Sequence, residues 1–580
     1  MSDSLIDVQI DGKWMQFPKG TRMIEALREA GKLPPHYCYH PKLSSPGNCR
    51  MCLIEMGMPP RPAPGQDPPE KDQDGHLPIQ WMPRPVISCA NTVAPNMGIR
   101  TDSEKVVEWR NGVMEFLLAN HPLDCPICDQ AGECRLQEFS VGHGRGHSRF
   151  REQKVKKPKN VPVGPAVRLD VERCVMCSRC IRFCDEVVED PVLGFTDRGS
   201  HTVLDVHPGR ELDQNYALNT VDICPVGALT SNDFRFQMRV WFLKETNTID
   251  VNCGTGCNIV VWTRGNEIYR ITPRRNDEVN STWMPDSHRL SFHALQGDHR
   301  LTEPLLRDPA APGAGAANPS PHRVARWPEA IGRLALALKG FEPGEIAIVA
   351  SARMTNEELY LARKLRAALG VGLLDVVPRQ GEADELLISA DRNPNTEGAK
   401  LVLGLKTPGS GLNAIRQGIA DGRIKAVLAL QEDLLSQQAG FTSEQLGKLD
   451  LLASLHLATN DTAGAAHVVL PGASFAEKSG TMINVSGRLQ KLNRAIQPPG
   501  RAMDDWEILR DLIQALGAGN GLYQISEVFK AMADDLETLR EEGIGWADIG
   551  DLGHPLIDTG VRIPLIEKER RRREQGHITG

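Results

Sequence analysis

The chemistry in this chain lies in its cysteines and their spacing. In Cys174-Val-Met-Cys177-Ser-Arg-Cys180 a two-residue gap is repeated. One tight loop can therefore aim three thiolates at a single four-iron cluster, and a fourth then comes from a distant Cys, often one followed by Pro. Cys224-Pro225 supplies it. Soft thiolate ligands suit iron–sulfur clusters. Zinc is the competing reading, but it usually takes its four thiolates from two separated C-x-x-C knuckles.

Two further sets surround this one. Cys38, Cys49, Cys52 and Cys89 place one cysteine before a C-x-x-C pair and one after it. That order suits a two-iron cluster, with a longer first gap than the plant-type spacing; zinc is again the minority alternative. Cys125, Cys128 and Cys134 offer three thiolates to a cubane that needs four ligands, and His121 lies four residues before the first of them. A lone histidine is more often structural, yet here a ligand is wanting and no spare cysteine is near. We therefore read His121 as the fourth ligand, with its other ring nitrogen donating to a carboxylate or carbonyl. Cys184 occupies the place of a second-cubane ligand in a two-cluster ferredoxin. Its partner positions hold Gln214, Ala217 and Thr220, so Cys184 reads as a buried thiol. Cys253 and Cys257 alone cannot hold a cubane.

The elements that must carry these residues follow from pattern. Leu5–Ile10 alternates and resumes as Trp14–Phe17 after a turn, and a helical stretch from Met23 ends near Gly31: hairpin, helix, then a Cys loop, the order of a β-grasp domain. A Pro-rich charged insertion fills Pro59–Pro85. A helix over Asp102–Asn120, with Val106, Val107, Val113, Phe116 and Leu117 on one side, delivers His121. Arg149–Lys159 reads as a solvated basic linker. Two strands flank Gly265-Asn266, and Arg307–His322 reads as a flexible linker. Beyond it, strands (345–350, 425–430, 466–470) alternate with helices (328–338, 356–369), which indicates an open, mostly parallel sheet. The basic Glu567–Arg573 stretch reads as a disordered tail.

Composition sets limits. The chain has 580 residues and a net charge of −7, which argues against a nucleic-acid binder. Eleven of its fourteen cysteines lie between Cys38 and Cys184, and their C-x-x-C spacing in a long chain points to metal in a reducing compartment rather than disulfides. The start, MSDSLIDVQIDG, leads us to expect no signal peptide. No run of 18 apolar residues predicts a membrane span, so work at a membrane would go through partners.

With its HPLDCPICDQAGEC string, the first 240 residues resemble the cluster-bearing region of the large iron–sulfur subunit of respiratory complex I, which NAD-linked hydrogenases and formate dehydrogenases reuse. Residues 241 onward resemble the molybdopterin oxidoreductases. That family's C-x2-C-x3-C-x27-C spacing falls here on Asp250, Cys253, Cys257 and Pro285, two of them not cysteine, so this fourth cluster site reads as vestigial. Glu477-Lys-Ser-Gly-Thr-Met-Ile-Asn484-Val-Ser-Gly-Arg488-Leu-Gln490 resembles the segment that helps hold the pterin in that family.

The resemblance implies a multidomain α+β and α/β chain. Its expected parts are a β-grasp 2Fe-2S ferredoxin-like domain (1–100), a His/Cys3 4Fe-4S domain (101–160) and a degenerate bacterial-ferredoxin-like 4Fe-4S domain (161–240). A degenerate molybdopterin-oxidoreductase 4Fe-4S domain (241–300), a shortened cofactor-free α/β region (301–520) and a tail (521–580) complete it. It implies one 2Fe-2S and two 4Fe-4S clusters and no molybdopterin. The expected role is an electron-carrying component of NADH:quinone oxidoreductase, peripheral on the cytoplasmic side of the inner (plasma) membrane. Its expected partners are the other peripheral-arm subunits, including the one that binds NADH and FMN. The runner-up is the catalytic subunit of an NAD-linked molybdenum or tungsten formate dehydrogenase.

Overall fold

Leu5–Ile10 and Lys13–Pro18 pair antiparallel about Asp11-Gly12, both with positive φ, the two-residue turn that matches strand twist. A computed structural model describes this chain over residues 4–61, 70–307, 322–519 and 521–579. Leu5–Ile10 pairs parallel with Met97–Arg100, which pairs antiparallel with Leu53–Met58. The helix Met23–Glu29 lays Met23, Ala26 and Leu27 on the same core as Val8, Ile10, Phe17 and Ile99. This is the expected β-grasp arrangement, and the Cys loops leave from it. Part of the Pro-rich insertion, 62–69, lies outside the described residues.

The helix before His121 runs Glu104–Ala119, capped by Ser103. Its buried face is not the expected one. Val106, Arg110 and Met114 are buried, whereas Val107 and Phe116 are exposed. Arg110 turns inward because its Nε and Nη2 both donate to the carbonyl of Leu53, at 3.1 and 2.9 Å. A charged side chain can join a core when its donors are matched. The basic linker is largely exposed and without helix or strand, in keeping with its reading as a solvated loop, but several of its cations are tied down. Lys154 donates to the free carbonyls of Leu118 and Ala119 at the helix end, Arg149 pairs with Glu115, and Lys159 meets Asp124, Asp170 and Glu172.

The chain forms two compact units, residues 1–242 with 568–580, and residues 243–567. The second contains a three-stranded antiparallel sheet, Lys244–Ile249, Asn258–Arg264 and Glu267–Pro273. It also contains a seven-stranded sheet ordered His322–Val324, Leu305–Arg307, Val468–Pro471, Leu451–His456, Ala426–Leu430, Ile346–Ala350, Leu373–Val376. The last five strands are parallel and nearly all apolar, as a sheet covered on both faces requires. Trp327–Leu338, Asn356–Leu369 and Asp505–Ala515 cover one face and Leu412–Ala420 the other. Helix Asn356–Leu369 starts on a Thr355/Glu358 capping box and stops at Gly370 in the left-handed region. The linker 308–321 lies outside the described residues.

The stretch read as a disordered tail is structured. Ile525–Asp535 buries Val528, Phe529 and Met532 in the core of the large sheet, and Pro564–Glu574 is helical. Its run of arginines obscures the reason: Leu565, Glu569 and Ile578 are buried between exposed charges.

Candidate cluster-binding sites

Cys38, Cys49, Cys52 and Cys89 are all buried and close together. The neighbouring sulfurs of Cys49 and Cys89 hold Cys38 below the ordinary thiol range, while Cys38, together with burial, pushes Cys49 and Cys89 above it. Arg50, between the C-x-x-C pair, has a φ of 59°. Ser88 ties the carbonyl of Cys52 by both its N–H and its hydroxyl, and the Ser45 hydroxyl ties that of Cys89. The structure brings together the four cysteines that the spacing grouped.

Cys174, Cys177, Cys180 and Cys224 line one small pocket together with apolar side chains such as Phe195, Leu204, Val226 and Leu229. Met176 and Ser178, the residues just before and after Cys177, are both left-handed, with φ of 52° and 59°. Such residues cost ~1–3 kcal/mol each and persist where a site requires the bend. Burial pushes the Cys174 thiol up to about 12 and Cys224 to about 11. Four thiols turned into an apolar pocket gain nothing there as thiols; bound iron would make them thiolates. The donor set and the pocket fit a cubane. Among the described residues no three His, Cys, Asp or Glu side chains converge on one ion. A cubane does not ask for that, since each ligand meets a different iron. Cys184 is buried in the following helical turn, as expected.

The third set lies beside the second. Cys128 is buried, Cys134 is half-buried and Cys125 is exposed. Gly227, three residues past Cys224, runs so close to Cys128 that a Cβ there would lie 2.4 Å from its sulfur. Pro225 accepts the N–H of Arg135 at 3.0 Å. His121 is half-buried, and burial lowers it to about 4, so its ring is neutral at pH 7, as a ligand must be. Its hydrogen bond differs from the expected one. Nδ1 accepts the N–H of Leu123 at 3.1 Å, because Leu123 has a φ of 56° and turns its amide back. The ring proton is then on Nε2, so a ring that ligates iron must give up this bond or move its proton. Asp124, the nearest carboxylate in sequence, is held by Arg173 and Lys159 and lowered to about 2.

Sequence reasoning missed the arginines that join the sites. Arg182 is buried; it donates to the carbonyls of Cys38 at 2.5 Å, Cys177 at 3.4 Å and Ser44, and to Ser178 Oγ at 3.2 Å. Arg179 donates to the carbonyls of Tyr39 and Ile223. Tyr37 is fully buried, and burial pushes its phenol far up. The signal was present as arginines between cysteines in Cys177-Ser-Arg-Cys180-Ile-Arg.

At the fourth position, in the second unit, Asp250 is buried and bonded to His288 Nδ1 at 2.7 Å and to the Asn252 amide. Burial works against the Asp250 carboxylate, but these partners hold it below its ordinary range and His288 above. Cys253 and Cys257 are buried, and Pro285 starts the turn Asp286–Arg289. In the pterin-like segment the polar side chains bond inward. Asn484 donates to the Thr255 carbonyl, Gln490 to that of Gly256, and Lys478 to Glu358 and Asp505 at 2.9 and 2.7 Å.

The comparisons with known proteins follow the same order along the chain. Residues 3–104 match the 2Fe-2S iron-sulfur cluster binding domain, and 110–149 the NADH-ubiquinone oxidoreductase-G iron-sulfur binding region. Residues 164–230 match the ferredoxin-like domain of NADH-quinone oxidoreductase subunit 3. Residues 243–293 match the NDSU1/NuoG-like 4Fe-4S domain, and 390–515 molybdopterin oxidoreductase. Fold and matches together define a multidomain iron–sulfur protein with 2Fe-2S and 4Fe-4S binding domains ahead of a molybdopterin-oxidoreductase region. The mitochondrial NADH-ubiquinone oxidoreductase 78 kDa subunit of Candida albicans is 30% identical, over 88% of this chain and 83% of its own length. An NADH-quinone oxidoreductase subunit of Rickettsia conorii is also 30% identical, over 92% and 90%. The chain belongs to this family, the NuoG-like and 78 kDa iron–sulfur subunits of NADH-quinone oxidoreductase. Among solved structures, a chain of an NAD+-reducing [NiFe]-hydrogenase is 27% identical over 40% of this chain and 91% of its own, with a TM-score of 0.33.

Proposed function

We propose that this chain is the iron–sulfur electron-carrying subunit of an NADH:quinone oxidoreductase. In this reading Cys38, Cys49, Cys52 and Cys89 hold a 2Fe-2S cluster. Cys174, Cys177, Cys180 and Cys224 hold one 4Fe-4S cluster, and His121, Cys125, Cys128 and Cys134 another. A bound cluster takes up and releases one electron at a time. The chain's own residues set the conditions: they supply the ligands, exclude water, and place buried cations near them.

The observation that carries the reading is the convergence of four cysteines, Cys174, Cys177, Cys180 and Cys224, on one largely apolar pocket, with Gly227 against Cys128 and Arg182 against Cys38. The three ligand sets share one compact unit and are bridged by single residues, as an electron carrier needs. Two observations support the absence of a fourth cluster and of pterin: Asp250 is committed to His288, and the pterin-like segment's side chains bond inward. The same points disfavour a formate dehydrogenase. The family assigns the chain to a multisubunit, membrane-associated complex. We infer that its partners are peripheral-arm subunits, the NADH- and FMN-binding one among them, on the cytoplasmic face of the membrane. No helix among the described residues is long and apolar enough to cross a membrane.

The test is iron and acid-labile sulfide per chain after anaerobic purification. Ligand arithmetic gives about 10 iron, as two plus four plus four. A value near 14 would restore the fourth cluster and overturn the assignment.

A further inference from the structure

The loop that carries Cys38 and Cys49 has no helix or strand between residues 37 and 52. Its shape must be held by side chains from elsewhere, and many of these come from residues 568–579. Glu569, buried, reaches Lys42, also buried, at 3.1 Å. Arg572 pairs with Glu186 and donates to the carbonyl of Lys42 at 3.3 Å, and Glu186 accepts the N–H of Ser44 at 2.9 Å. The Thr579 N–H donates to the Pro41 carbonyl at 3.0 Å, and its hydroxyl meets the Tyr39 phenol at 2.5 Å. Ile578 is buried beside them. On the other side of the site, one Arg22 guanidinium nitrogen donates to the Gly576 carbonyl and the other to the carbonyl of Cys89, each at 3.2 Å.

We propose that residues 568–579 are a strap that seals the Cys38–Cys89 site, with Glu569, Arg572 and Thr579 as positioning residues for the centre held there. The strap grips Tyr39, Pro41 and Lys42 from the ligand loop directly, and Ser44 through Glu186. Through Arg22 it reaches Cys89, the ligand most distant in sequence. A buried ion pair such as Lys42–Glu569 is a poor device for stability, because desolvating both charges offsets their attraction. Its effect is to fix one register of the strap over the loop. Exposure to solvent is one of the levers on an iron–sulfur potential, and a sealed loop also keeps chelators and oxygen from the iron. The proposal rests on the two-iron assignment made above.

The experiment follows release of each cluster to a ferrous chelator in the full protein, with low-temperature paramagnetic resonance to tell the centres apart. The variants are Glu569→Ala, Thr579→Val, Lys42→Glu and the reciprocal pair Lys42→Glu with Glu569→Lys, beside a chain stopped before Lys568. The single variants and the shortened chain should lose the two-iron signal at least about tenfold faster, as local opening becomes easier. The four-iron signals should keep their wild-type rates. The reciprocal pair should recover much of the loss seen in Lys42→Glu alone. Wild-type rates for the two-iron signal in the single variants would overturn the strap, as would equal acceleration of all three centres. If wild-type protein shows no two-iron signal at all, the assignment of Cys38, Cys49, Cys52 and Cys89 fails instead, so the two failures are distinct.

Discussion

Replacing Arg182 by Met should lower the potentials of two centres together. The guanidinium is buried, keeps its charge at any working pH, and lies 2.5 Å from the carbonyl of Cys38 and 3.4 Å from that of Cys177. For an order of magnitude we take ~7 Å between this charge and iron bound by those residues. At an effective dielectric near 20, one unit charge at that distance is worth about 2 kcal/mol. On a one-electron couple that is roughly 80–100 mV. Removing the cation disfavours the added electron, so both the Cys38 and the Cys174 centres should fall by about that amount, with a smaller change at the His121 centre. The carbonyls of Cys38 and Ser44 also lose a charged donor, at ~1–3 kcal/mol each, so the variant should be less stable. Arg182→Lys separates the two effects: it keeps the charge and loses the fork, so stability should drop while potentials stay near wild type. The assay is a redox titration followed by paramagnetic resonance. Midpoints within about 20 mV of wild type in Arg182→Met would refute the electrostatic argument.

Three further outcomes are expected. His121→Ala should give a three-iron or easily lost cluster, and His121→Cys four irons at lower potential, since a negative ligand replaces a neutral one; an unchanged spectrum in His121→Ala would make the ring merely structural. His36 is lowered to about 4, first by burial, while its Nδ1 bonds the Pro34 carbonyl at 2.9 Å. A depressed histidine contributes stability in full above its unfolded value near 6.5 and loses it as pH falls toward 4, by about 3 kcal/mol in the limit. In metal-free protein, His36→Asn should therefore move acid unfolding of the first unit to lower pH, as read by hydrogen exchange. Lys478→Met should destabilise the second unit by ~3–5 kcal/mol, because it leaves Glu358 and Asp505 buried without their cation; denaturant unfolding would show it, and a loss under about 1 kcal/mol would contradict it.

What was legible in the sequence depended on how local the cause was. Ligand spacing is a covalent property of the chain, so the grouping of Cys174, Cys177 and Cys180 was readable at once. Period and capping gave Asn356–Leu369 to the residue, because Thr355, Glu358 and Gly370 all signal locally. The helix before His121 was placed correctly, but its buried face was not. Nothing near Arg110 in sequence announces the Leu53 carbonyl that receives it. The short strands Leu373–Val376 and Leu451–His456 went unread, since four to six apolar residues do not distinguish strand from helix. The basic tail was misread for the same reason as Arg110: Glu569 becomes intelligible only when Lys42 is beside it.

The misreadings have a common physical origin. The buried face of the helix before His121 and the basic tail both turn on a charged side chain whose partner is far along the chain, and the first unit contains several such pairs. Its ligand loops have little regular structure, so their backbone carbonyls must be satisfied by something other than helix or sheet. Arg179, Arg182, Arg22 and Arg110 do this, each reaching a carbonyl of a ligand cysteine or of a residue next to one. A guanidinium suits the task because its rigid fork can satisfy two acceptors at once while its charge favours an electron nearby. The same residues that hold the loops should thus tune the potentials, and stability and redox behaviour become coupled at these positions. In the second unit the buried charges pair with one another instead, as Lys478 does with Glu358 and Asp505 and Arg300 with Glu477. Their removal should change folding and leave the potentials alone.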